Sequence, residues 1–225
     1  MDRELPVAEG GSSPGPAVPP DTADLSALWA NSLLAVAFLQ LPFLLLPWFA
    51  TPADIGVYAV AHKLLNIVST LLILLSAVFG PAFARAASEG GAAGLRSLLR
   101  RTQWLSCAIF LPLCAVLLLG LEPLAGLFNV PADLLGHYLI ILAGGQLVNA
   151  VTGLSGVLLN MAGGAARETR ALAVSLFIAV AAAPVVGSLH GAAGLAVLFS
   201  AVLAGKNLAS YLAVSRFLAD KENER

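Results

Sequence analysis

The sequence predicts an all-α polytopic membrane protein, a single bundle of six transmembrane helices. Three observations carry that prediction. Charged residues make up only 11% of the 225-residue chain, where a soluble domain holds about 25%. The apolar residues gather into six continuous runs, each about 19–26 residues long. As helices these runs are long enough to cross a hydrocarbon core of roughly 30 Å at about 1.5 Å per residue. The cations, finally, fall in alternate connections between the runs. The runs do not alternate polar with apolar residues, so an outer-membrane barrel is excluded.

Residues 1–24 contain Gly10-Gly11-Ser12-Ser13-Pro14-Gly15-Pro16 and Pro19-Pro20. Such a segment buries too little apolar surface to offset the entropy of ordering, and it reads as a disordered tail or the remnant of a linker. It has no apolar core of the kind a signal peptide carries. The first span is placed at 25–49, with Asp24 or Ser26 as N-cap and bends at Pro42 and Pro47. The second, at 57–82, is the longest run and is expected to end at Gly80-Pro81. The third lies at 102–120 with Pro112 inside. The fourth lies at 138–161, the fifth at 171–189 with Pro184 inside, and the sixth at 193–216, leaving 217–225 as a short tail. Between spans two and three, Leu95, Leu98 and Leu99 oppose Arg96, Arg100 and Arg101. That pattern fits either a short basic amphipathic helix on the membrane surface or a solvated turn. Pro123, Leu124, Leu127 and Phe128, closed by Asn129 and Pro131, suggest a small interfacial helix.

Lys and Arg set the orientation. Arg3, Arg85, Arg96, Arg100, Arg101, Arg167, Arg170, Arg216, Lys221 and Arg225 all fall in one set of connections and the termini. The other set, 50–56, 121–137 and 190–192, holds no Lys or Arg. Both termini are therefore expected on the cytoplasmic side of the membrane. A net charge of −1 gives no basic field for nucleic acid. Cys107 and Cys114, seven apart on one helix, are too distant along its axis to pair and read as small apolar residues.

The two remaining cations lie inside spans, where a Lys at mid-depth costs about 2.5–3.5 kcal/mol. Lys63 either reaches back to the outer headgroups or faces a polar path. Lys206, deeper, is expected to face a polar cavity, with Asn207, Ser210 and Tyr211 within one turn. His62, Lys63, Asn66, Ser69 and Thr70 share one face of span two. In span four Gln146, Asn149, Gly153, Gly156 and Asn160 recur at spacings of 3 and 4 as one stripe. Such a stripe serves tight helix packing, a transport path, or both. None of the six runs contains Asp or Glu, so the buried charge suits an anionic ligand better than a cationic drug. No metal-ligand spacing, nucleophile motif or phosphate loop is present, and the sequence calls for no metal, no cofactor and no enzymatic activity.

Several of these stretches resemble one family. Ile55-Gly56-Val57-Tyr58-Ala59-Val60-Ala61-His62-Lys63-Leu64 resembles the start of the eighth helix of bacterial oligosaccharide flippases, in the multidrug/oligosaccharidyl-lipid/polysaccharide exporter superfamily. Phe79–Arg85, Leu98–Arg101, Leu121–Phe128, Gln146–Gly164 and Gly187–Gly194 resemble later stretches of the same family, in order. The resemblance spans about 25–218 and implies the C-terminal half of a transporter with twelve or more helices in two bundles. It therefore implies a second six-helix bundle as partner, either another copy or a separate half, and a lipid-linked oligosaccharide as substrate. On that reading Lys63 and Lys206 attract the phosphate linkage, and His62, Asn66, Gln146, Asn149 and Asn207 hydrogen-bond the headgroup. Replacing either lysine is expected to have only a modest effect on folding. The competing readings are a non-transporting bundle, as a truncated remnant or a packing partner, and, third, a multidrug exporter.

Overall fold

The computed structural model describes residues 22–89 and 91–223, and these are almost entirely helical, with no strand among them. Most of the N-terminal segment expected to be disordered lies outside the described residues. Helix α1 spans Thr22–Leu45 and holds Pro42. Asp24 and Ser26 therefore sit inside the helix rather than ahead of it as caps. A 3-10 turn, Leu46–Trp48, follows at Pro47, and its Leu46 is fully buried.

Helix α2 covers Pro52–Ser88. Its start is well determined: Pro52 takes the first turn, and the Thr51 hydroxyl accepts the Asp54 backbone N–H at 3.2 Å. Thr51→Ala removes that cap and is expected to cost about 1 kcal/mol, read as a fall of about 2–4 °C in apparent Tm. The expected stop at Gly80-Pro81 does not occur. Pro81 removes one N–H donor from the helix, but the packing around it favours continuation. Gly80 is buried close to Val157 and Met161, and Phe83 is fully buried one turn further on.

Helix α3, Ala92–Leu119, absorbs the basic amphipathic stretch into the same rod as the third span. Leu95 and Leu99 are buried on one side while Arg100 and Arg101 stay exposed. The interfacial helix α4, Leu121–Phe128, forms as expected and stops where Asn129 takes a left-handed φ of 52°. The fourth run, by contrast, is two helices. Helix α5, Ala132–Thr152, breaks at Gly153 (φ 64°, ψ −150°), and α6, Ser155–Met161, resumes after it. The continuous stripe expected from Gln146 to Asn160 is thereby divided.

Helix α7, Ala165–Asn223, runs 59 residues and has a non-helical break at Gly191 (φ 59°, ψ −146°). It folds back there. Glu168 and Lys206 would be roughly 57 Å apart on a straight helix, yet their side chains form an ion pair. The first arm carries Pro184 and packs on the 3-10 turn: at Gly187 any side chain would strike the Phe49 ring. Helix α5 packs against α2, α3 and α7, and α1 lies along α7.

Two apolar cores result. The larger takes Val57–Leu72 of α2, Leu135–Ala150 of α5 and Ala179–Phe199 of α7. The smaller joins Phe83, Leu95, Leu99, Leu158, Leu159, Val214 and Leu218. Buried Thr152, Ser155, Asn207 and Ser210 fall between them along the chain. The outward surface is apolar as well: Trp29, Trp48, Val78, Leu119 and Phe177 are largely exposed. Among the described residues five helices are long and apolar enough to cross a membrane, α7 counted once.

Candidate functional site

Polar side chains converge in the middle of this apolar bundle. The Tyr58, His62, Asn66 and Ser69 side chains of α2 follow one another on a face turned toward α1 and α5. With Gln146 of α5 and Ser200 of α7 they line a cavity of about 100 Å³, closed on the α1 side by Phe38 and Pro42. His62 is half-buried, edge-on to Phe43 of α1 at 4.9 Å between ring centres and roughly parallel to Tyr58 at 6.0 Å. The Tyr58 hydroxyl is fully buried and has no hydrogen-bond partner among the described residues. A buried donor of that kind costs about 1–3 kcal/mol unless something else satisfies it. Gln146 is held in place from its own helix, its Oε1 accepting from Asn149 Nδ2 at 3.2 Å.

A second, more open groove of about 380 Å³ lies on the other side of His62 and Asn66. Gln40 of α1, Lys63 and Phe128 of α4 complete it. Lys63 is exposed there and makes no ion pair among the described residues. His62 and Asn66 thus form the wall between a small polar cavity and a groove that holds a cation.

Lys206 and Asn207 lie elsewhere. Lys206 Nζ pairs with the Glu168 carboxylate, and Ser210 Oγ donates to the same carboxylate at 2.6 Å. Glu168 is only 4% exposed. The sequence places it in a surface connection. The helix in fact begins at Ala165, so Glu168 is a buried acid within it. The carboxylate sits over Gly156 of α6, where a Cβ would come within 2.6 Å of Oε1. Lys206 therefore does not meet the cavity as an unpaired cation, and Lys63 and Lys206 do not line a common pocket.

The structure brings His62, Asn66 and Gln146 together, with Asn149 behind Gln146 and Lys63 next door; it sets Lys206 and Asn207 apart. Sequence reasoning missed Tyr58, Ser200, Gln40 and Glu168. Tyr58 was available as the residue one turn before His62. Glu168 was hidden by its neighbours Arg167 and Arg170, which make the segment look like a surface loop.

The stripe on α5 serves packing at one point and the cavity at the next. A Cβ at Gly145 would come within 2.9 Å of the Ser200 carbonyl, so the two backbones nearly touch. Beside it Ser200 Oγ donates to the Ile141 carbonyl at 2.8 Å. Small residues and hydroxyls of this kind hold membrane helices together where burial alone gives no drive.

The fold and its lipid-like surface define a polytopic helical membrane protein. Residues 26–128 match the profile of a family described as polysaccharide biosynthesis protein. That match runs from α1 to the end of α4 and includes Tyr58, His62, Lys63 and Asn66. The resembling stretches from Ile55 to Phe128 fall inside it; those at Gln146–Gly164 and Gly187–Gly194 fall beyond it. Neither a curated protein nor a solved structure gives a significant match to the chain.

Proposed function

We propose that this chain is one half of a flippase that moves a lipid-linked oligosaccharide across the bacterial inner membrane for polysaccharide export. The two arms of α7 are read as two crossings, so that the bundle has six, with both termini in the cytoplasm. A second six-helix bundle, another copy or a separate half, closes the path, and the two halves rock against each other. The chain acts as a carrier and not as an enzyme.

One observation carries the reading: His62, Asn66 and Gln146 meet at one internal cavity, with Lys63 in the groove beside it. Sugar hydroxyls require many hydrogen-bonding partners, which this wall offers through imidazole and amide groups. The phosphate linkage of a lipid carrier requires a cation, which Lys63 offers in the adjoining groove. Asn149 orients Gln146. Lys206 and Asn207 reach a phosphate only if Glu168 releases the ammonium group. Glu168 does not favour a cationic-drug exporter, because Lys206 already takes up its charge.

The test is flipping of a labelled lipid-linked sugar in cells lacking other flippases, with the partner half co-expressed if one exists. Lys63→Ala is expected to slow flipping at least about tenfold, in line with loss of a charge-assisted hydrogen bond of about 1.5–3 kcal/mol. Gln146→Ala is expected to slow it about two- to tenfold through loss of a neutral one. Unchanged rates in both variants would remove the assigned roles. A wild-type bundle that is inserted and paired yet moves no lipid would favour the non-transporting reading.

A further inference from the structure

The two arms of α7 enclose an open groove of about 1250 Å³, separate from the cavity lined by His62 and Gln146. Its composition changes along its length. At the end remote from Gly191 it is walled by Arg167 and Arg170 of the first arm and Arg216 of the second, all three exposed. Deeper, apart from Ser175 and the ion-paired Lys206, the walls are apolar, with Val174, Ile178 and Leu198. Arg170 and Ile178 are about 12 Å apart along the arm, so the change from basic to apolar occurs over a short distance. Arg167 is anchored at the rim, its guanidinium carbon 5.6 Å from the centre of the Phe217 ring. The acid nearest in sequence, Glu168, turns inward to Lys206 and Ser210, away from Arg170 and Arg216.

We infer that this groove seats an anionic glycerophospholipid of the surrounding bilayer. Its phosphate lies among Arg167, Arg170 and Arg216 and its acyl chains lie along Val174, Ile178 and Leu198. Guanidinium groups match phosphate oxygens in pairs. The basic end lies with the other cationic connections, on the side where anionic lipid concentrates. The inference stands whether or not the chain flips sugars.

The experiment uses the full chain, delipidated in a neutral detergent and titrated with phosphatidylglycerol, phosphatidylcholine or a polyprenyl phosphate. Bound lipid is counted by native mass spectrometry. Arg170→Gln/Arg216→Gln is expected to weaken phosphatidylglycerol retention about thirtyfold, at roughly fivefold per cation near the membrane surface. Arg96→Gln/Arg100→Gln alters the basic wall of a different groove, between α3 and the second arm, and is expected to stay within about threefold of wild type. Arg170→Lys/Arg216→Lys keeps the charge and is expected to retain most binding, which separates ligand contact from a folding defect. Equal retention of phosphatidylcholine, equal losses in both glutamine pairs, or no loss in Arg170→Gln/Arg216→Gln would overturn the inference. So would binding of polyprenyl phosphate alone, which would assign the groove to substrate instead.

Discussion

Glu168→Ala is expected to destabilise the bundle by about 3 kcal/mol, a drop of about 6–12 °C in apparent Tm in detergent. The carboxylate ties the first arm of α7 to two other segments. It neutralises Lys206 on the second arm of α7, accepts from Ser210 one turn on, and fills the space left by Gly156 of α6. Removing it leaves an ammonium group in a low-dielectric interior with its counter-ion gone. Breaking a buried pair from one side costs about 3–5 kcal/mol. The lower end applies because the Lys206 side chain remains 15% exposed. Lys206→Ala strands the carboxylate instead and is expected to cost as much, a larger effect than the sequence suggests for that lysine. Glu168→Leu/Lys206→Met removes both charges and is expected to return to within about 1 kcal/mol of wild type. Melting curves of the singles and the double decide the matter. If Glu168→Ala melts with wild type, or the double falls below both singles, the pair does not hold the hairpin.

Gly153→Ala is the second large effect, expected at about 2–3 kcal/mol. Two costs act together at this position. With φ at 64° and ψ at −150° the backbone lies in a region that only glycine enters freely, and side chains there cost about 1–3 kcal/mol. The new Cβ would also come within 2.7 Å of Gln103 Cγ on α3. Gly144→Ala, one helical stretch earlier, is the internal comparison: nothing lies within 4 Å of its Cβ. It is expected to be neutral or to stabilise by about 0.5–1 kcal/mol, because alanine is the better helix former. Equal melting temperatures for the two variants would show that α5 and α6 are one continuous helix in the membrane.

These two positions also show how far the sequence could be read. The polar stripe on the fourth run was legible, and Gln146 and Asn149 do stand together. Yet Gly153 looked like one more small residue in a packing face, because a glycine that permits close approach and a glycine that breaks a helix are spelled alike. The same ambiguity applied at Gly80-Pro81, where the expected stop is overridden by burial of Gly80 and Phe83. His62, Asn66 and Lys63 could be placed on one face of α2 from helical spacing alone. That this face is divided, with His62 and Asn66 between a cavity and a groove, depends on where Phe38, Gln40 and Phe128 come to lie.

The sequence by itself determined the solvent, the helical class and the gathering of cations at one set of connections. Each of these is a sum over many residues, and hydropathy, run length and charge position survive any detail of packing. Only the tertiary structure decided which charges meet. Glu168 and Lys206 are 38 positions apart, and no local pattern links them. The reversal at Gly191 brings them together, and a desolvated cation takes whichever anion the fold delivers to it.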